Sequence, residues 1–388
     1  MRVSFAYLDH AASTPMRPEA IAAMLDILEN APGNPSGQHA WARRARRAID
    51  DARDVVADTI GANPGEIVFT SGGTESDNLA ILGTSRAVGA ASVCFETDHH
   101  ASVEPVQLSG GVVLSVEGVA ALNPQLVRRQ LNELGDIAVV SFCAVNSELG
   151  LVAPVSELVE SIRSAAPRAL VHIDAVAAAS WLDLRAMWEM VDLMTLSGHK
   201  VGGPKGVGVL GVRAGTPLSP VVVGGAQERE RRAGTQNLAG AVAMAAALEV
   251  AVRQRDSSVE RIGELRDRLR KGLLNELGSH VAETLKPDDG AQIPNTLHLC
   301  VRDVHREALL LRLDQHGVAA SAGSSCASGA PERSHVVEAL RMPGDLRDGA
   351  LRLSLGWNTT AEEVDHALSV IPATVRQLAQ TTTSEVAR

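Results

Sequence analysis

Between residues 66 and 212 the apolar positions of this chain gather into short runs at 66–70, 90–95, 111–116, 137–145, 169–173, 191–196 and 206–212, with helical stretches between them. Runs of this length read as buried strands. Their alternation with helices predicts an α/β architecture, a mainly parallel seven-stranded sheet covered by helices, with ligand groups gathering beyond the carboxyl ends of the strands. Ahead of the sheet, residues 1–14 read as an extended arm, Pro15 and Pro18 open a helix through 21–28, and Pro32-Gly33-Asn34-Pro35 breaks the chain. A helix over 37–60 puts Trp41, Ala45, Ala48, Ala52 and Val55 on one face. Beyond 212, a polar loop at 221–240 leads into an alanine-rich helix and then a long charged helix at 255–278. Strand runs at 296–301 and 351–355, with helices around 305–316 and 361–378, suggest a smaller α+β layer. The expected organisation is a large domain of residues 15–255 and a small one assembled from 1–14 and 256–388.

The residues that close these runs carry the chemistry. Ser197-Gly198-His199-Lys200 ends the run 191–196 with an amine beside a hydroxyl and an imidazole, and partial desolvation there favours the nucleophilic free amine. Run 66–70 leads into Ser71-Gly72-Gly73-Thr74-Glu75-Ser76-Asp77-Asn78, a turn of small residues that opens a helix. Its free N–H groups, the positive end of the helix dipole and the Thr74 hydroxyl suit a phosphate. Run 169–173 ends in Asp174, a carboxylate placed as a partner for a pyridinium nitrogen. An amine, a phosphate cradle and an aspartate are the fixtures of a pyridoxal phosphate site. Gly206-Val207-Gly208-Val209-Leu210-Gly211 fits the spacing of a dinucleotide fingerprint, but it reads as a strand and lacks the strand before it and the helix opening within it. Ser321 to Pro331 has too little apolar surface to pack tightly. Cys326 is therefore expected on a mobile loop as an exposed thiolate nucleophile.

Taken in order, Tyr7-Leu8-Asp9-His10-Ala11-Ala12-Ser13-Thr14-Pro15, Gly33-Asn34-Pro35-Ser36, Thr70 to Asn78, His172-Ile173-Asp174-Ala175, Ser197 to Lys200 and Gly234-Thr235 resemble the motifs of class V pyridoxal phosphate enzymes. Ser321-Ala322-Gly323-Ser324-Ser325-Cys326 narrows the resemblance to the cysteine desulfurases. It covers nearly the whole chain and implies fold type I, L-cysteine as substrate, and a homodimer that passes sulfur to an acceptor protein. By the same resemblance Lys200 carries the cofactor and moves the α-proton, and Asp174 faces the ring nitrogen. His99 stacks on the ring and assists proton transfer, while the neighbouring His100 is incidental. Gly73, Thr74, Ser197 and His199 hold the phosphate, with Thr235 reaching the neighbouring subunit's site. Arg352 grips the substrate carboxylate, Asn34 joins it in substrate binding, and Cys326 takes the sulfur.

Two positions depart from the family pattern. Ala177 stands where a glutamine is usual, and Ser147 where an asparagine is usual; Asn146 is the expected substitute. By resemblance the sulfur goes to iron–sulfur assembly, thio-modification of tRNA or DNA phosphorothioation; the two losses predict a working but atypical desulfurase, dedicated to one acceptor pathway such as DNA phosphorothioation rather than to general iron–sulfur assembly. A selenocysteine lyase or another class V lyase would share the same lysine and aspartate. A scaffold that binds a sulfur acceptor without catalysis is the reading from another class.

Composition narrows the surroundings. The 388 residues carry a formal charge of −10, which argues against general affinity for nucleic acid. No apolar run approaches the length of about 18 residues needed to span a bilayer, and the expected location is cytoplasmic. Cys94, Cys143, Cys300 and Cys326 show no metal-ligand spacing, and no metal is expected. Arg43, Arg44, Arg46 and Arg47 form a dense basic cluster that Asp50, Asp51 and Asp54 are expected to pair.

Overall fold

The computed structural model describes residues 5–116, 122–286, 289–323, 334–340 and 343–386. In chain order its strands are β1 (Ala6–Tyr7), β2 (Ile67–Thr70), β3 (Ala91–Phe95), β4 (Val112–Leu114), β5 (Ile137–Cys143), β6 (Leu170–Asp174), β7 (Leu193–Ser197), β8 (Gly208–Val212), β9 (Val281–Glu283), β10 (Thr296–Val301), β11 (Val318–Ala319) and β12 (Ala350–Ser354). Strands β2 to β8 form one seven-stranded sheet in the order β2-β8-β7-β6-β5-β3-β4. Every pair in it is parallel except those made by β8, which runs against both β2 and β7. The glycine-rich stretch around 208 is thus a strand, as its lack of a following helix requires.

The reversal at β8 positions the lysine. Ser197 pairs with Gly208 across the β7–β8 hairpin, and the single 3-10 turn Gly198–Lys200 lies in the connection between them. A Cβ on Gly208 would come within 2.6 Å of the Gly72 backbone. Glycine here lets the turn that opens the helix Gly73–Val88 lie directly over the lysine hairpin.

The large core lies on and around this sheet, from Ile67, Val140, Ile173 and Leu196 to the alanines of the helix Leu238–Arg253. Against that helix pack Pro18–Asn30 and Ala40–Ile60. The buried stripe of Ala40–Ile60 runs through Ala42, Ala45, Ile49, Ala52 and Val56, whereas Trp41 is 54% exposed. The stripe is therefore rotated from the expected one: alanines let two helices approach closely, and an indole between them would hold them apart. The basic cluster also departs from expectation. Arg43 Nη1 donates to Gln38 O at 2.6 Å and Arg46 Nε to Pro35 O at 3.1 Å. Among the described residues neither these arginines nor Arg44 and Arg47 form an ion pair with Asp50, Asp51 or Asp54.

A second core combines Ala6 and Leu8 from the arm with residues between Ile262 and Val375. It holds the antiparallel sheet β12-β10-β9 and the parallel pair β1-β11. The arm is stitched to β12 by a bridge between Asp9 and Ser354, and Ser321 bridges Arg352 on the same strand. These two bridges bring the small layer to the mouth of the large sheet. Among the described residues, no helix is long and apolar enough to cross a membrane.

Candidate active site

A cavity of about 200 Å³ opens at the carboxyl ends of the central strands, lined on one side by Gly73, Thr74, His99, Asp174, Ser197, His199 and Lys200, and on the other by Ala11, Ser147 and Arg352. Each lining group arrives from a strand end or a helix start. Asp174 is the last residue of β6, with Oδ1 accepting from Val176 N at 2.9 Å and Oδ2 lying 3.7 Å from the Cys143 thiol. Ser197 ends β7, and Lys200 Nζ donates to the Ala11 carbonyl, across to the N-terminal arm. Gly73 opens a sixteen-residue helix, and Thr74 follows it on the first turn.

Two imidazoles, of His99 and His199, line the cavity, and a third lies within the sheet. His99 caps the helix His100–Leu108, its Nδ1 accepting from Ala101 N at 3.1 Å. His199 is placed 3.3 Å from Ser13 Oγ through Nδ1. Burial, reinforced by Lys200 and Lys205, pushes its pKa down to about 4. On the central strand β6, His172 lies between Ser141 Oγ and Thr195 Oγ1, both at 2.9 Å, and burial takes it to about 3.

Arg352 stands opposite. It is 2% exposed; Nη2 donates to Asp9 Oδ1 at 2.9 Å and Nη1 to the Ser147 carbonyl at 3.1 Å. Its Nε is buried and, among the described residues, has no hydrogen-bond partner. A buried guanidinium N–H without an acceptor costs free energy and is a place for a ligand carboxylate.

The donor set fits a pyridoxal phosphate. Its phosphate would meet the helix start at Gly73 and Thr74 together with Ser197 and His199, its ring nitrogen would meet Asp174, and Lys200 would hold its carbonyl carbon. Gly73 has no side chain to obstruct this; a Cβ there would sit 3.0 Å from Val176 Cγ2.

Not every expected site residue reaches this cavity. Asn34 is exposed, with Oδ1 accepting from Ser36 N at 2.9 Å, and Thr235 is exposed on the 221–240 loop; neither lines the cavity of its own chain. Asn146 requires a correction. Its Nδ2 donates to Thr97 O and its Oδ1 accepts from Glu148 N and Leu149 N, so the amide expected to substitute at the ring edge is spent on the turn. Ser147 and Ala177 themselves line the cavity and leave that edge without an amide. Cys326 lies outside the described residues.

Three groups escaped the sequence reading. Asp77 lines the cavity at 1% exposure, with Oδ1 unbonded among the described residues and 3.6 Å from His172 Nε2. Burial and the nearby Asp174 raise its pKa well above the ordinary carboxylate range. Asp98 accepts from Phe95 N and Cys143 N, yet burial raises it to about 7. Asp9 pairs with Arg352. The acid-rich helix start containing Asp77 was a signal for the first, while the last depends on residues 343 positions apart.

The Aminotransferase class-V family model matches residues 6–367, and the chain belongs to this family. Over 383 residues it is 38% identical to a protein of Mycobacterium tuberculosis named IscS-like cysteine desulfurase, covering 95% of this chain and 96% of that one. A solved structure of a NifS-like protein superposes with a TM-score of 0.88 at 28% identity, covering 97% of this chain and all of the other. DndA from Streptomyces lividans superposes with a TM-score of 0.74 at 29% identity, over 90% of this chain and 99% of its own.

Proposed function

We propose that this chain is a pyridoxal phosphate-dependent cysteine desulfurase, converting L-cysteine to L-alanine and leaving the sulfur as a persulfide on Cys326 for transfer to an acceptor protein. The observation that carries this reading is the pairing, in one cavity, of a strand-end lysine and aspartate with a buried arginine whose Nε has no hydrogen-bond partner among the described residues. When bound, the cofactor supplies an electron sink for the bond changes at the substrate α- and β-carbons.

The protein residues do the rest. Arg352 takes the substrate carboxylate on its free Nε–H and on the N–H now held by Asp9. That anchor directs the amino group towards Lys200, which takes the α-proton on Nζ. Asp174 would hold the proton on the ring nitrogen, and His99 would lie against the ring and pass protons through its imidazole. The Cys326 thiolate attacks the substrate sulfur: an S–S bond forms, the C–S bond breaks, and its electron pair stays with the carbon, which gains a proton as alanine is formed.

In this reading residues 15–255 hold the cofactor, while 1–14 and 256–388 bring Arg352 and Cys326. The protein acts in the cytoplasm as a homodimer. The exposed Thr235 then serves the second copy, and Arg232 braces its loop on Glu75 at 2.8 Å, beside the phosphate-binding helix start.

The test is an absorbance spectrum followed by addition of L-cysteine, with Cys326→Ser alongside. A band at about 400–420 nm, with alanine released by the native protein and not by the variant, is expected. Alanine from L-selenocysteine alone would replace this reading with that of a selenocysteine lyase. No band and no product would leave a scaffold.

A further inference from the structure

Beside Lys200 a second cavity, of about 40 Å³, lies where the large and small layers meet. Ser147, Val176, Ala177 and Lys200 line it as well as the cofactor cavity, so the two share a wall. Arg17, 4% exposed, lines the second cavity alone.

Arg17 is built into the turn that follows the lysine. Its backbone N donates to Gly202 O at 2.8 Å and its Nε to Val201 O at 3.0 Å. Nη1 donates to Gln254 Oε1 at 3.1 Å, and the guanidinium carbon lies 5.0 Å from the centre of the Trp357 ring. Gly202 has φ at +88, and a Cβ there would come within 2.6 Å of Arg17 Cγ, so glycine is what lets the arginine stem pass. Nη2, the remaining arm of the fork, makes no hydrogen bond among the described residues.

Charge in this cavity is one-sided. Arg17 and Lys200 are cationic, and among the described residues no aspartate or glutamate lines it. His10 adds no charge at neutral pH, since burial pushes its pKa down to about 4. Glu19, the acid on the first turn of the helix after Arg17, is exposed and outside the cavity. A buried guanidinium with a free arm and no carboxylate beside it is a place for an anion. Space and lining choose among anions. The volume is roughly three times what one water needs, which admits about three or four heavy atoms and excludes phosphate and sulfate. Trp181, Ile293 and Leu355 supply apolar wall, and Ser180 and Ser258 supply hydroxyls. A carboxylate on a short alkyl group matches both kinds of surface; chloride matches one.

We propose that this cavity is a binding site for a short monocarboxylate of acetate size, held by Arg17 Nη2 across the wall from the cofactor cavity. The site stands apart from the desulfurase reading, and only its effect on turnover rests on that reading. An anion near Lys200 favours the ammonium over the free amine, so the bound carboxylate slows proton transfer without competing for Arg352.

The test titrates the purified full chain with sodium acetate and reads tryptophan emission, to which Trp181 and Trp357 in the cavity wall contribute. Ionic strength is held constant with a bulky sulfonate too large to enter. A saturable change is expected, with Kd raised about tenfold or more in Arg17→Met. Ser258→Leu fills the cavity from a half-buried position, leaves the arginine in place, and should raise Kd by a similar factor. No saturable change in the native protein overturns the proposal, as does a Kd that stays within about twofold in both variants. Binding lost in Arg352→Lys but kept in Arg17→Met would assign the acetate to the substrate site and overturn it too. Should Arg17→Met fail to fold, Ser258→Leu is set against Arg352→Lys by the same criteria.

During turnover of L-cysteine, saturating acetate should lower kcat about twofold or more and leave KM within about twofold, and Ser258→Leu should remove the loss. A rise in KM alone would put acetate on Arg352, against the proposal. If the native protein makes no alanine, the desulfurase reading fails while the emission titration still decides the site.

Discussion

The two walls of the cavity bury charge in different ways. On the sheet side, Asp77, Asp98 and Asp174 crowd the strand ends with His172 and His199, and burial drives Asp77 and Asp98 towards the neutral acid and both imidazoles towards the neutral base. Opposite, Arg352 and, behind the cavity, Glu148 are as deeply buried, yet each is met by opposite or donating groups: Asp9 for the arginine, Ser334 and His298 for the glutamate. In the proposed reading the sheet side would receive a group that brings its own charges, a phosphate and a cationic ring. The other side has charges of its own, ready for a substrate carboxylate.

Removing the amine should have the largest effect. Lys200→Ala is expected to lower alanine release by at least about 10³-fold, because in the proposed mechanism the same nitrogen holds the cofactor and moves the proton; the absorbance band should shift in the same sample. Arg352→Lys keeps the charge but loses the forked geometry. KM for L-cysteine should rise by about 10-fold to 100-fold with the spectrum unchanged. If KM stays put, the unbonded Nε is not the carboxylate site and the contrast between the walls fails.

Asp77→Asn separates a neutral acid from an anion. As Asp77 is raised above its ordinary 3.8, the native state holds a proton that the unfolded chain has lost. Stability therefore falls as pH rises from about 4 towards the folded pKa. The asparagine variant should show a flatter fall in Tm over that range and keep kcat within about threefold. A variant that steepens the fall would mean Asp77 is ionised. Smallest of all, Ala177→Gln should supply the missing amide at the ring edge and change cofactor affinity or rate by several-fold, about 1 kcal/mol, read by dialysis of the cofactor and by turnover.

What was legible in the sequence follows the same division. The sheet side is local: Lys200 follows β7, Asp174 ends β6 and Gly73 opens its helix, so a strand run and its next few residues carried the information. The other side is not. Arg352 was named through resemblance, but its pairing with Asp9 spans 343 positions and the Glu148–Ser334 contact spans 186. Helix periodicity failed at Trp41 for a related reason, since which face of Ala40–Ile60 is buried depends on the alanines of Leu238–Arg253. Asn146 failed locally: the turn needed its amide for Thr97, Glu148 and Leu149.

The central claim, that sulfur leaves L-cysteine for Cys326, is tested most directly by mass spectrometry of the cysteine peptides after one turnover. An addition of about 32 Da on Cys326, a persulfide, in step with the alanine formed and absent from Cys94, Cys143 and Cys300, is the predicted result. Alanine formed while Cys326 keeps its native mass would contradict the account.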